Sequence, residues 1–230
     1  MLFLPVSDAY HVDGNNSPAF ATEGLRARDS ISYPDIEIPR NRMSFIVGES
    51  GSGKTTLLRL FNQTETQTSG TIRFFGNDVT VMDITTLRIN AILCGQKVFL
   101  FNGTIRENFN EFRRYVAIDP KAGNPLSDDA MKEFLNICCA EQDLDRECGD
   151  LSGGERARVF IAIHLAFVPA VLMLDEPTSA LDGETALTMM KNIRSYCSDN
   201  EMTLIVVSHD RRVIDALADN VIDLGGGKNG

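Results

Sequence analysis

Short, almost wholly apolar runs recur along the chain: Met43 to Val47, Val171 to Leu174, Leu204 to Val207 and Val221 to Leu224. Runs of this length bounded by turn residues predict strands buried on both faces, because a strand with one wet face would alternate instead. Between the later runs lie stretches of helical period, about Gly154 to Phe167, Glu184 to Tyr196 and Arg211 to Leu217. Strands alternating with such helices predict an α/β fold with a mostly parallel sheet covered on both faces. Thr71 to Phe75 and Ile89 to Cys94 read as further strands, and Ile36-Glu37-Ile38 alternates before the turn at Pro39. From Phe109 to about Gly149 the pattern is helical, and Ser127 is placed to cap a helix whose apolar face is Met131, Phe134, Leu135 and Cys138. Residues 1–24 are the least readable: Leu2 to Val6 resembles a strand, and Gly14 to Pro18 has loop chemistry.

Composition narrows this picture. At 230 residues the chain suits one domain with a large core and an inserted subdomain. A formal net charge of -10 argues against a broad duplex-binding surface, since nonspecific nucleic-acid affinity comes from neutralising phosphates with Lys and Arg. Five cysteines without metal-ligand spacing read as reduced, packed thiols, which with the lack of a basic leader before Leu2-Phe3-Leu4 makes the cytosol the expected compartment. Val159 to Leu174 is nearly all apolar, but His164 and Pro169 interrupt it, so it is expected to be buried helix, break and buried strand rather than a membrane span.

Candidate chemistry centres on Gly48-Glu49-Ser50-Gly51-Ser52-Gly53-Lys54-Thr55-Thr56, between the strand ending at Val47 and the apolar helix residues Leu57, Leu58, Leu60 and Phe61. Glycines at both ends of a four-residue gap let backbone N–H groups curl round a phosphate chain, and the helix N-terminus adds its positive end. Lys54 then neutralises phosphate oxygens and the Thr55 hydroxyl is a ligand for Mg²⁺, a hard cation that takes oxygen donors. Asp175 and Glu176 stand where a buried strand runs out, the edge at which open α/β sheets bind ligands. Asp175 is the expected Mg²⁺ holder, and Glu176 the base that polarises the attacking water. Leu151-Ser152-Gly153-Gly154-Glu155 opens a long apolar helix in a manner suited to anion capture.

Together, this loop, the pentapeptide, Leu174-Asp175-Glu176-Pro177-Thr178-Ser179-Ala180-Leu181-Asp182 and Val207-Ser208-His209-Asp210 resemble the ATP-binding-cassette ATPases in order and wording, over roughly residues 25–224. The resemblance implies a P-loop, RecA-like core with a mostly parallel sheet, an N-terminal antiparallel β portion and an inserted helical subdomain. It divides the single domain, 1–230, into a nucleotide-binding core of 1–96 and 150–230 and a helical subdomain of 97–149. It implies ATP and Mg²⁺ held by Gly48, Ser50, Gly51, Ser52, Gly53, Lys54, Thr55 and Thr56, with Gln96 reaching Mg²⁺ and the attacking water. His209 is implied as the switch that holds Glu176 and the γ-phosphate. Ser152, Gly153 and Gly154 are implied to contact the nucleotide of a second nucleotide-binding chain, with Asp182 running between protomers.

A departure concerns the base. Glu23 occupies the position where family members stack the adenine on an aromatic ring; Tyr10 is the preferred substitute and Phe20 the alternative. The stretch Phe99 to Phe109 resembles exporter-type cassettes, where it lies against a transmembrane permease. The resemblance therefore implies an ATP-hydrolysing transporter subunit, exporter-like, cytoplasmic and peripheral at the inner face of the membrane. The rival is a soluble cassette ATPase acting on nucleic acid or the ribosome, disfavoured by the charge and by the absence of zinc-type cysteines or a coiled coil.

Overall fold

The computed structural model describes residues 17–28, 31–116 and 125–225. The strand expected at Leu2 to Val6, the ring of Tyr10 and most of the loop at Gly14 to Pro18 lie outside the described residues.

One five-stranded sheet is wholly parallel, in the order β10 (Asn220–Asp223), β4 (Met43–Val47), β9 (Thr203–Val207), β8 (Val171–Asp175), β7 (Ala91–Cys94). Strands β4, β9, β8 and β7 are buried by turns into two cores, whereas β10, expected to be buried on both faces, is an edge strand with Val221 48% exposed. Phe45, Leu172, Leu174, Leu204 and Val206 face one, beneath α4 (Asp128–Ile137), α5 (Gly153–Leu165), α6 (Gly183–Asp199) and α7 (Arg211–Leu217). Ile46, Val171, Met173, Ile205 and Val207 face the other, against α1 (Lys54–Phe61) and a second sheet. That sheet is antiparallel: β1 (Phe20–Ala27) pairs with β2 (Ile31–Ser32), β3 (Glu37–Ile38) and β5 (Ser69–Phe74), and β6 (Asn77–Asp78) pairs with β5.

The central antiparallel strand β1 falls in the stretch that the sequence left unread. Its alternation breaks at a bulge between Glu23 and Arg26, where Gly24 takes φ +57, and its inward position 22 carries a threonine whose hydroxyl accepts a hydrogen bond from Ile36 N–H. Two further expectations are corrected. Ile89 and Asn90 belong to a helix, α2 (Ile84–Asn90), capped by Asp83, so β7 starts only at Ala91. The helical pattern does not hold to Gly149: α4 ends at Ile137, with Cys138 as its C-cap.

Beyond α4 the chain instead runs beside the start of α3 (Ile105–Val116). Ile105 and Arg106 N–H donate to Arg146 and Leu144 carbonyls, and Cys148 N–H donates to Gly103 O. All five cysteines are free, and four of them, Cys94, Cys138, Cys148 and Cys197, are buried. No helix among the described residues is long and apolar enough to cross a membrane.

Candidate nucleotide site

Strand β4 delivers the chain into the glycine loop, and α1 starts at Lys54 with Gly53 as N-cap at φ +90. This left-handed turn requires glycine twice over: a Cβ there would also stand 2.7 Å from Tyr33 Oη and 3.0 Å from Ile31 Cγ2. No acidic residue occupies the first turn of α1, so the positive end of the helix is uncompensated. Lys54 is 6% exposed, and its ammonium donates to the carbonyls of Gly48 at 2.9 Å and Glu49 at 2.8 Å. Ser52 Oγ is buried without a hydrogen-bond partner. A buried hydroxyl and a buried ammonium held only by the loop's own carbonyls fit a phosphate chain, which would supply the missing acceptors.

The parallel sheet brings the acidic residues to this loop. The Thr55 hydroxyl donates to Asp175 Oδ2 at 2.8 Å, and Asp175 Oδ1 is buried with no partner. Burial pushes the Asp175 carboxyl above its ordinary pKa, with the neighbouring Glu176 charge adding to the effect. An orphaned carboxylate oxygen beside a hydroxyl fits Mg²⁺, with phosphate and water left to fill the other positions, since no cluster of three His, Cys, Asp or Glu occurs among the described residues.

Glu176 sits in the left-handed region at φ +53, its N–H donating to Val207 O across the sheet at 2.9 Å. Such a backbone costs a non-glycine residue on the order of 1–3 kcal/mol. His209, just past the end of β9, places Nε2 3.3 Å from Glu176 Oε1.

Gln96, two residues beyond β7, lines a cavity of about 280 Å³ together with Asp175, Glu176, Gly154 and Ala180. Ser152 and Gly153 stand exposed at the N-terminus of α5, and no hydrogen bond joins them to the glycine loop. Ser152 forms a capping box: its hydroxyl accepts from Glu155 N–H, and its N–H donates to Glu155 Oε2 at 2.8 Å. The other Glu155 oxygen takes Gln142 and Arg146, each at 3.1 Å. The bonds from Ser152, helped by the Arg146 charge, hold the Glu155 carboxyl down to about 2. Asp182 caps α6, accepting from Glu184 and Thr185 N–H.

Of the two aromatics considered for the base, Tyr10 lies outside the described residues, and the alternative, Phe20, is corrected. Phe20 is fully buried and stacks on Phe61 at 4.3 Å between ring centres, inside the core, so it cannot receive a base. The ring the sequence reading missed is Tyr33, whose hydroxyl donates to Gly53 O at 3.0 Å. Its position in the Ile31-Ser32-Tyr33 alternation signals an inward side chain but not what it meets.

A parallel sheet with a glycine loop after one strand and paired acids after its neighbour but one defines a phosphate-loop nucleoside triphosphatase. The model of the ABC transporter family matches residues 32–179. The chain is 33% identical over 227 residues to the methionine import ATP-binding protein MetN of Nocardia farcinica, covering 97% of this chain and 67% of that protein. It is 34% identical over 203 residues to ABC transporter I family member 17 of Arabidopsis thaliana, covering 87% and 73%. The fold is similar to that of a bacterial Atm1-family ABC exporter with ATP bound, at TM-score 0.78 and 26% identity over 95% of this chain and 41% of that one. It is also similar to cbiO1 of Clostridium perfringens, part of an ABC transporter complex, at TM-score 0.74 and 25% identity over 90% and 85%. The chain belongs to the ABC transporter family, as its ATP-binding, ATP-hydrolysing part.

Proposed function

We propose that this chain hydrolyses ATP with Lys54, Asp175, Glu176, His209 and Gln96 in the roles their placement suggests, and drives a transmembrane permease. The observation that carries the reading is the convergence of Lys54, Thr55, Asp175, Glu176 and His209, from three strands, at one edge of the parallel sheet. The loop from Gly48 to Thr56 cradles the phosphates, Lys54 leaving its two carbonyls for phosphate oxygens. Asp175 and Thr55, with Gln96, hold Mg²⁺, which would neutralise charge on the phosphates. Glu176 takes the proton of the attacking water, and His209 holds the carboxylate in place.

Ser152, Gly153 and Gly154 act in trans. Ser152 and Gly153, exposed at the start of α5 and without a hydrogen bond to the chain's own phosphate loop, suit with the half-buried Gly154 the γ-phosphate of a second chain, so two chains close around two nucleotides, with Asp182 near the seam. Residues 97–149 move as a helical subdomain against a core of 1–96 and 150–230. Phe99, 58% exposed and edge-on to Phe101 and Phe112, supports a face for the permease on this side, in keeping with a chain that works at the inner surface of a membrane.

The wording of Phe99 to Phe109 favours export. Import is the second reading, supported by relatives whose names specify methionine import. Co-expression with a candidate permease, crosslinking from Asn102 and vesicle transport assays test both. Crosslinks to a membrane protein support the permease reading, and the side on which substrate accumulates gives the direction. Efficient crosslinking to rRNA or DNA instead would return the soluble rival.

A further inference from the structure

Tyr33 is tied into the antiparallel sheet, its N–H donating to Leu25 O at 3.0 Å, and only 6% of it is exposed. From there its hydroxyl reaches across to the carbonyl that opens α1, Gly53 O, at 3.0 Å. The same oxygen accepts the first helical hydrogen bond, from Leu57 N–H at 2.8 Å. A carbonyl oxygen has two lone pairs, so both are engaged and the plane of the Gly53–Lys54 peptide is fixed. The described residues contain no cis peptide, and in a trans unit N–H points opposite to C=O. Holding Gly53 O against Tyr33 therefore turns Lys54 N–H into the concave side of the glycine loop. As a first-turn donor, that N–H has no acceptor within its own helix. Gly53 stands at φ +90, a region glycine enters and leaves freely, so the Leu57 bond alone leaves the peptide freer to tilt than the two bonds together. A phenol keeps its proton at neutral pH, which a carbonyl partner needs, and burial raises its pKa further.

We infer that Tyr33 is a positioning residue for the phosphate loop: by hydrogen-bonding Gly53 O it presets the Lys54 N–H toward the phosphates, independently of the base. The inference rests on the reading of this loop as the ATP site. It ties the antiparallel sheet to the phosphate cradle through one hydroxyl.

Tyr33→Phe removes that hydroxyl and leaves the packed ring. Binding of Mg-ATP and of inorganic tripolyphosphate with Mg²⁺, which has no base, should be measured by calorimetry for the wild type, Tyr33→Phe and Lys54→Ala. Loss of one neutral hydrogen bond should weaken both ligands by the same factor, about 3–10-fold, with kcat at saturating ATP within about twofold. Amide exchange in the ligand-free variant should accelerate in the peptide containing residues 48–57 and not in those covering β1 and β5. Unchanged affinity for both ligands, or weaker ATP with unchanged tripolyphosphate, overturns the inference. A wild type that binds neither ligand overturns the ATP reading itself, and so separates the two failures.

Discussion

Thr55 and Asp175, 120 residues apart in the chain, are joined by a 2.8 Å hydrogen bond from the hydroxyl to Oδ2. The bond holds together the two oxygens proposed to bind Mg²⁺ while the second carboxylate oxygen, Oδ1, stays buried and unpaired. Asp175→Asn preserves the shape and removes the charge that a divalent cation requires. Hydrolysis measured against Mg²⁺ concentration should fall by about 10²-fold at saturation, with half-saturation moved up about tenfold. An unchanged Mg²⁺ curve would detach Asp175 from the metal.

Lys54→Ala should weaken ATP binding by on the order of 10²-fold, because a buried ammonium gives charge-assisted hydrogen bonds that loop amides cannot replace. Calorimetry on the folded variant measures it. Wild-type affinity and turnover would refute the assignment of the loop.

Glu176→Gln keeps the size of the side chain but cannot accept the proton, so hydrolysis should slow by about 10²–10⁴-fold while ATP still binds. Two chains should then remain closed around the nucleotide and run as an ATP-dependent dimer in size-exclusion chromatography with light scattering. Adding Ser152→Arg should return the monomer by forcing a bulky side chain against the partner's phosphate. A monomeric Glu176→Gln with bound ATP would show that the chain needs its permease to pair.

His164 packs between Phe112 and Phe160, with ring centres at 5.0 and 4.1 Å, and burial pushes its pKa from 6.5 down to about 4. The unfolded chain therefore takes up a proton near pH 6.5 that the folded chain accepts only near about 4. Stability should fall as pH drops through that window, by on the order of 2–3 kcal/mol, and level off for this group below it. His164→Phe should remove that part of the slope in urea unfolding series at pH 7, 5.5 and 4. Glu155 titrates in a lower window, its capping contribution being complete above pH 4.5 and lost toward about 2.

What the sequence revealed was what depends on near neighbours. Val47, Gly48 to Gly53 and Lys54 form strand, loop and helix within a few residues, and Leu174-Asp175-Glu176 ends a buried strand, so both were legible. Strand β1 was not, because its inward positions include Thr22 and its register is shifted by a bulge that only its pairing with β5 defines. Helix α2 was hidden by weak amphipathicity: Leu87 and Asn90 are its buried residues, and the Asp83 cap was its one clear signal. Tyr33 gave no sign of its role, since its partner is a backbone carbonyl brought near by the packing of one sheet against α1.

If Glu176 is the base proposed above, its left-handed backbone sets stability and activity against each other at a single position. Glycine or asparagine would adopt φ +53 at less cost, and neither could accept a proton from water. A population of variants selected only for resistance to heat should therefore drift toward those residues and lose turnover as it does so. On the proposed role of Glu176, glutamate at φ +53 keeps a proton acceptor where the backbone alone would favour glycine or asparagine.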